Sequence, residues 1–323
     1  MNNMQEIILP IEKEFDEFKE LFHSSLQSSN SLLHQVLTHI RQRSGKMMRP
    51  ILTLLVAKIA GDINSSTYHA ALSLELLHTA SLVHDDVVDE SDKRRGQRSV
   101  NAIFDNKVSV LVGDFILATS LQHSALTQNV NIVNLVARLG KNLSEGEIIQ
   151  LTNTKSSEFS EEVYYEVIRK KTAALFIASA EAGAWSVGAS EAFIKTAALF
   201  GEMLGIAFQI KDDIFDYFSD DIGKPTGNDM REGKLTLPSL YVLNKYKDEQ
   251  MCKLASKIRG LDATNDEIAL FIDYVKRNGG IEYAESQMLS YRERALALLP
   301  DTVAEELRVA LTSYIDYVVK RKI

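Results

Sequence analysis

The chain has 323 residues, 45% of them apolar and 25% charged, the composition of a folded protein with a large core rather than a disordered one. Its 44 acidic against 36 basic residues leave a net charge of -8, so no broad basic surface for nucleic acid is expected and any basic chemistry must be local. The one cysteine, Cys252, excludes a disulfide framework or a cysteine metal site within a single chain and suits a reducing, cytoplasmic setting.

The opening residues, MNNMQEIILPIEKEFDEF, lack the basic start and long apolar centre of a secretory signal. Nowhere do about 18 apolar residues follow one another, so neither a membrane-spanning helix nor a membrane anchor is expected. Ile11, Phe15, Phe18, Phe22 and Leu26 recur at three- and four-residue steps, the period of an amphipathic helix. In RSGKMMRP, Lys46 and Arg49 lie three apart, a spacing that can set two cations on one helical face to grip a diphosphate. Prolines stand only at positions 10, 50, 225, 238 and 300, so helices can run unbroken from Ile51 to Lys224. The Asn-x-Ser matches at Asn64 and Asn142 are read as chance tripeptides.

Leu72, Leu76, Leu77 and Val83 repeat with helical spacing and lead into VHDDVVDESDKRRGQRS, residues 83 to 99. Asp85 and Asp89 are four apart and share a helical face; stacked like charges destabilise a helix, so a neutralising cation is implied. His78 stands two turns before Asp85 and is assigned to the same face, whereas His84 is read as structural. The acidic geometry returns in KDDIFDYF, where Asp212, Asp213 and Asp216 follow the apolar run FIKTAALFGEMLGIAFQI. Two such clusters suggest one site with two carboxylate walls, and hard oxygen ligands point to magnesium or manganese. Magnesium is usually held by one or two carboxylates plus substrate phosphates, so Arg94 and Arg95 are expected to take the remaining phosphate charge. Phe208 and Phe215 read either as core or as lining for an apolar pocket.

Residues 219 to 238, SDDIGKPTGNDMREGKLTLP, form a glycine- and proline-bearing loop, read as functional because long irregular segments seldom persist idle in compact domains. The terminal KRKI, with Lys320, Arg321 and Lys322, offers a cap for the site or a contact for anionic lipid, against the simpler reading of a solvated tail. Strand signals are scarce throughout. The expectation is an all-α protein, a single large helical bundle around a central apolar cavity, forming one domain over residues 1–323.

The sequence also resembles the trans-type polyprenyl diphosphate synthases through GKMMRP, HTASLVHDDVVDESDKRRG, VGDFILA, SEGEIIQL, RKKTAALF, FQIKDDIFDYF and GKPTGNDMREGKLTLP, in that order. The resemblance implies head-to-tail addition of isopentenyl diphosphate to an allylic diphosphate. It puts Mg2+ on Asp85 and Asp89, with Asp86 beside them, and on Asp212, Asp213 and Asp216. It assigns isopentenyl diphosphate to Lys46, Arg49, His78 and Arg95, and the allylic diphosphate to Arg94, Lys171, Thr172 and Gln209. Lys224 and Lys234 would close over the diphosphate from the loop. Small residues at Ala80 and Ser81, where shorter-chain members carry bulky aromatics, imply a long product of the kind used for quinone side chains. A homodimer and transient membrane contact on product release are further implications. The alternatives are a short-chain farnesyl or geranylgeranyl synthase, a terpene cyclase, and a non-catalytic helical partner subunit.

Overall fold

The computed structural model describes residues 3–42, 45–94, 96–153, 159–218 and 226–321. The helices are α1 (Asn3–Ile8), α2 (Glu12–Ser25), α3 (Ser31–Arg41), α4 (Met48–Ala60), α5 (Ser65–Val88), α6 (Val100–Phe104), α7 (Asn106–Leu126), α8 (Val130–Asn153), α9 (Glu161–Ile168), α10 (Ala174–Ser186), α11 (Glu191–Phe215), α12 (Asn228–Arg231), α13 (Leu237–Tyr246), α14 (Glu249–Arg259), α15 (Asn265–Arg277), α16 (Gly280–Ala297) and α17 (Glu305–Lys320). The all-α expectation holds with one departure. Directly after the first acidic cluster, Lys93–Arg94 pairs antiparallel with Gln97–Arg98 as a two-stranded hairpin. Short strands of charged residues carry no alternating apolar pattern, so the sequence offered no sign of them.

The chain groups into two compact units, each assembled from separated stretches. The first comprises Met1–Lys141, Leu175–Gly201 and Pro300–Leu311; the second comprises Asn142–Ala174, Glu202–Leu299 and Thr312–Ile323.

In the first unit, α5 is launched by Asn64, whose side chain accepts from Ser66 N–H while Thr67 reaches back to the Asn64 N–H, a reciprocal cap. Asn64 is therefore a helix cap, and Asn142 lies inside α8. The 24 residues of α5 rise roughly 36 Å to the acidic cluster. The seam of α5 with α7 uses small residues: Ser120 Oγ donates to the Ser73 carbonyl at 2.6 Å, and a Cβ added at Gly113 would lie 2.1 Å from His84 Nε2. His84 thus docks the end of α5 onto α7, with Nε2 3.2 Å from the Val110 carbonyl, and its structural reading stands. Phe15, Phe18 and Phe22 of α2 are buried with successive ring centroids 6.4 Å apart, each contributing roughly 1.5–3 kcal/mol relative to exposure.

In the second unit, α9 runs into a wide turn at Arg169–Ala173, in which the Ala174 N–H bonds back to the Arg169 carbonyl, an i→i+5 step. The inserted residue turns Lys171 and Thr172 together onto a cavity wall. Gly205 of α11 permits this, since a Cβ there would sit 2.4 Å from Ala173 Cα. Tyr241 of α13 stacks on Tyr283 of α16 with centroids 3.9 Å apart. Helix α11 is long and apolar enough, by length and composition, to cross a membrane, but 56% of its most apolar stretch is buried inside the protein, as in a core helix.

Candidate active site

Both acidic clusters stand at helix C-termini, where the aligned carbonyls already concentrate negative charge and a carboxylate is least welcome. Asp85 and Asp86 occupy the last turn of α5 and Asp89 is its cap; Asp212 and Asp213 occupy the last turn of α11, and neither last turn contains a basic residue. Positive charge at each must therefore come from outside the helix's own last turn.

Within the first unit, Asp85 is half-buried and Asp89 exposed, whereas Asp86 is only 3% exposed. Asp86 Oδ1 accepts from Arg94 Nε at 2.6 Å, and its carbonyl accepts from Asn101 Nδ2 at 3.2 Å. The hairpin thereby aims Arg94 back over the helix end. A cavity of about 70 Å³ is lined by Gly45, Glu75, His78, Asp86 and Arg94 among others. His78 and Asp86 line this cavity and Asp85 and Asp89 do not, although His78 and Asp85, seven residues apart on α5, stand about 20° apart around the helix. Arg49 is half-buried with its guanidinium 5.4 Å from the Phe176 ring centroid, and Lys46 is exposed. Arg95 lies outside the described residues. Ala80 is buried, and the half-buried Ser81 donates its hydroxyl to the His78 carbonyl at 2.9 Å.

Within the second unit, a cavity of about 190 Å³ gathers Lys171, Thr172, Gln209, Asp213, Asp229 and Lys234. Thr172 Oγ1 donates to Gln209 Oε1 at 2.6 Å, and Gln209 Nε2 donates to Asp213 Oδ1 at 2.8 Å. Tyr164 OH donates to Asp213 Oδ2 at 2.5 Å. Both oxygens of Asp213 are thus engaged by protein, and burial, with Asp229 nearby, still pushes its pKa well above the ordinary carboxylate range. Asp216 is engaged as well: its oxygens accept the N–H groups of Asn228 and Asp229 at 2.9 and 3.1 Å, which pins the second half of the loop to the end of α11. Burial raises its pKa too. Burial and the neighbouring Asp216 raise Asp229 to about 7, with Lys234 acting in the opposite sense. Lys171 pairs with Glu147 and Lys234 with Glu232. Lys224 lies outside the described residues.

Even with Arg94 on Asp86 and Arg321 on Asp212, these helix ends carry more carboxylates than cations and suit a hard divalent ion. Among the described residues no three Asp, Glu, His or Cys side chains form a complete metal site, so protein groups supply only part of any coordination sphere and water or phosphate oxygens must supply the rest.

Three participants escaped sequence reasoning. Asp229, in the glycine-flanked GNDM, and Glu75, a carboxylate within the apolar run LSLELLH, carried a signal in their context. Tyr164 carried none. Arg321, in the tail offered as a cap for the site, a lipid contact or a solvated end, is half-buried: its Nη2 contacts Asp212 Oδ1 at 2.5 Å. The solvated reading fails for this residue because α17 carries it directly onto α11.

A sequence model of the polyprenyl synthetase family matches residues 30–275. The chain is 36% identical over 294 residues to octaprenyl diphosphate synthase of Haemophilus influenzae, covering 90% of this chain and 88% of that protein. Among solved structures it is similar to a geranylgeranyl pyrophosphate synthase from Bacteroides thetaiotaomicron, with 53% identity, a TM-score of 0.87 and coverage of 99% and 100% of the two chains. A polyprenyl synthase from Caulobacter crescentus, complexed with calcium and isoprenyl diphosphate, gives 31% identity, a TM-score of 0.92 and coverage of 99% and 98%.

Proposed function

Because the chain belongs to the polyprenyl synthetase family, it is a prenyltransferase of the all-α isoprenoid synthase fold, and we propose that it builds a long all-trans polyprenyl diphosphate from isopentenyl diphosphate and an allylic diphosphate. The observation that carries this reading is the placement of both carboxylate clusters at the negative ends of α5 and α11, beside cavities lined by lysine, arginine, histidine, threonine and glutamine.

Asp85, Asp89 and Asp212 are proposed to hold Mg2+; when bound, the ion supplies positive charge for the departing diphosphate. Asp86, Asp213 and Asp216 act mainly as anchors, since their oxygens already orient Arg94, Gln209, Tyr164 and the loop. Arg94, Lys171 and Lys234, with Thr172 and Gln209, bind the allylic diphosphate and neutralise charge as its C–O bond breaks. Lys46, Arg49 and His78 orient isopentenyl diphosphate, whose double bond attacks the allylic cation before a proton leaves for the released diphosphate. Apolar walls keep water from the cation. Arg95 and Lys224 keep the roles the resemblance implies, beside isopentenyl diphosphate and in loop closure.

Ala80 and Ser81 leave no bulky side chain one turn behind Asp85, which supports a long product. A second reading, a product of geranylgeranyl length, is favoured by the 53% identity to the geranylgeranyl pyrophosphate synthase from Bacteroides thetaiotaomicron. Incubating the protein with labelled isopentenyl diphosphate, Mg2+ and a series of allylic starters, then sizing the products, decides between them. Undiminished extension in excess chelator, or no extension at all, would sink the assignment.

A homodimer is proposed on the exposed apolar stripe of α7, where Val110, Leu111, Leu121 and Leu126 face outward; a monomer mass at micromolar concentration in sedimentation equilibrium would refute it. A cytoplasmic setting is supported by the single free thiol of Cys252.

A further inference from the structure

We propose that Arg321 is the positioning residue for Asp212, setting the orientation in which that carboxylate meets a divalent ion. The inference rests on the reading of Asp212 as a metal ligand. The guanidinium belongs to a C-terminal residue that composition alone would leave in water, yet its side chain is only 15% exposed. Its placement is not that of a loose tail, because the Arg321 N–H continues the helical ladder of α17 to the Tyr317 carbonyl at 3.1 Å.

Four contacts to three residues converge on one stripe of α11. The guanidinium lies 3.6 Å from the Phe208 ring centroid and 5.7 Å from that of Phe215. Its Nη2 donates to the Phe208 carbonyl at 3.0 Å and to Asp212 Oδ1 at 2.5 Å. Residues 208, 212 and 215 stand at i, i+4 and i+7, so Arg321 grips the final two turns of α11 with Asp212 at the centre of the grip.

The three carboxylates of this cluster therefore differ in what orients them. Backbone amides hold Asp216, a tyrosine and a glutamine hold Asp213, and a cation holds Asp212. A guanidinium engaging Oδ1 favours one rotamer of the Asp212 carboxylate, the orientation in which it would meet the ion. Outer partners of this kind orient a metal ligand and tune its affinity. Lysine cannot replace the contact, because only the flat guanidinium can lie on a ring while donating to two acceptors.

The test compares wild type with Arg321→Met, Arg321→Lys and Asp212→Asn. Two quantities are read: the half-saturating Mg2+ for chain extension, and the rise in melting temperature produced by magnesium chloride with inorganic diphosphate. Arg321→Met should raise the Mg2+ requirement by about tenfold in both measurements, with the KM for isopentenyl diphosphate little changed. Arg321→Lys, the milder change for folding, should remain nearer to Arg321→Met than to wild type. An unchanged requirement in both Arg321 variants overturns the proposal. So does a lowered one, which would make Arg321 a competitor of the ion. If Asp212→Asn raises the requirement while the Arg321 variants do not, this inference fails alone; if Asp212→Asn also has no effect, the metal role of Asp212 falls with it.

Discussion

Replacing Tyr164 with Phe removes a single oxygen from a cluster in which Asp213 is 1% exposed and accepts from Tyr164 at 2.5 Å and from Gln209 at 2.8 Å. The ring keeps its packing, so the change isolates the hydrogen bond. A buried bond to a charged acceptor contributes roughly 1.5–3 kcal/mol, and that range is the expected loss of unfolding free energy when Asp213 is ionised. The pH dependence carries the sharper signature. Burial raises the Asp213 pKa and the Tyr164 hydrogen bond lowers it, so the variant must hold its proton to still higher pH. The cost is therefore present in full above the raised pKa of the variant. It declines as pH falls through that value, and it levels off at a smaller one below the wild-type pKa. Urea unfolding of both proteins across a pH series measures it. Adding Tyr164→Phe to Asp213→Asn should cost far less than adding it to wild type, because the charged acceptor is already gone. A loss below about 0.5 kcal/mol, the scale of an ordinary surface change, would refute the reasoning. A loss independent of pH, or one that simply adds to Asp213→Asn, would refute it equally.

Gly113→Ala should destabilise by about 1–3 kcal/mol through overpacking, since its Cβ would meet the His84 ring at 2.1 Å; His84→Ser in the same chain should restore much of the melting temperature, and no recovery would show that the clash is not with His84. Ala80→Phe should shorten the product on chromatographic sizing, and an unchanged product would place the limit on chain growth elsewhere. Asp229, raised from 3.8 to about 7, binds more protons folded than unfolded in that window, so it lowers metal-free stability progressively as pH rises from 3.8 to 7. Asp229→Asn should accordingly gain on wild type across that interval in melting temperature against pH, and a flat difference would disprove the shift.

Much of the molecule was legible in one dimension because helices declare themselves locally. The period of Ile11, Phe15, Phe18 and Phe22, the absence of proline from Ile51 to Lys224 and the four-residue spacing of Asp85 and Asp89 are properties of neighbours along the chain. They sufficed for the all-α class and for the two acidic helix ends. Within that site, Lys171, Thr172, Gln209 and Asp213 do meet at one cavity. The wide turn at Arg169–Ala173 that presents two of them was not legible, because it depends on how closely Gly205 lets α11 approach.

Residue type and spacing determined that Asp212, Asp213 and Asp216 are a carboxylate cluster; only the tertiary structure decided that they are not equivalent. Tyr164 is 49 residues from Asp213, and Arg321 is 109 from Asp212. No local pattern encodes such distances, since a hydrogen bond or an ion pair is set by where helices cross and not by what flanks a residue. The same three letters in KDDIFDYF thus divide into one carboxylate that meets a half-buried arginine, one that accepts from a tyrosine and a glutamine, and one that accepts two loop amides.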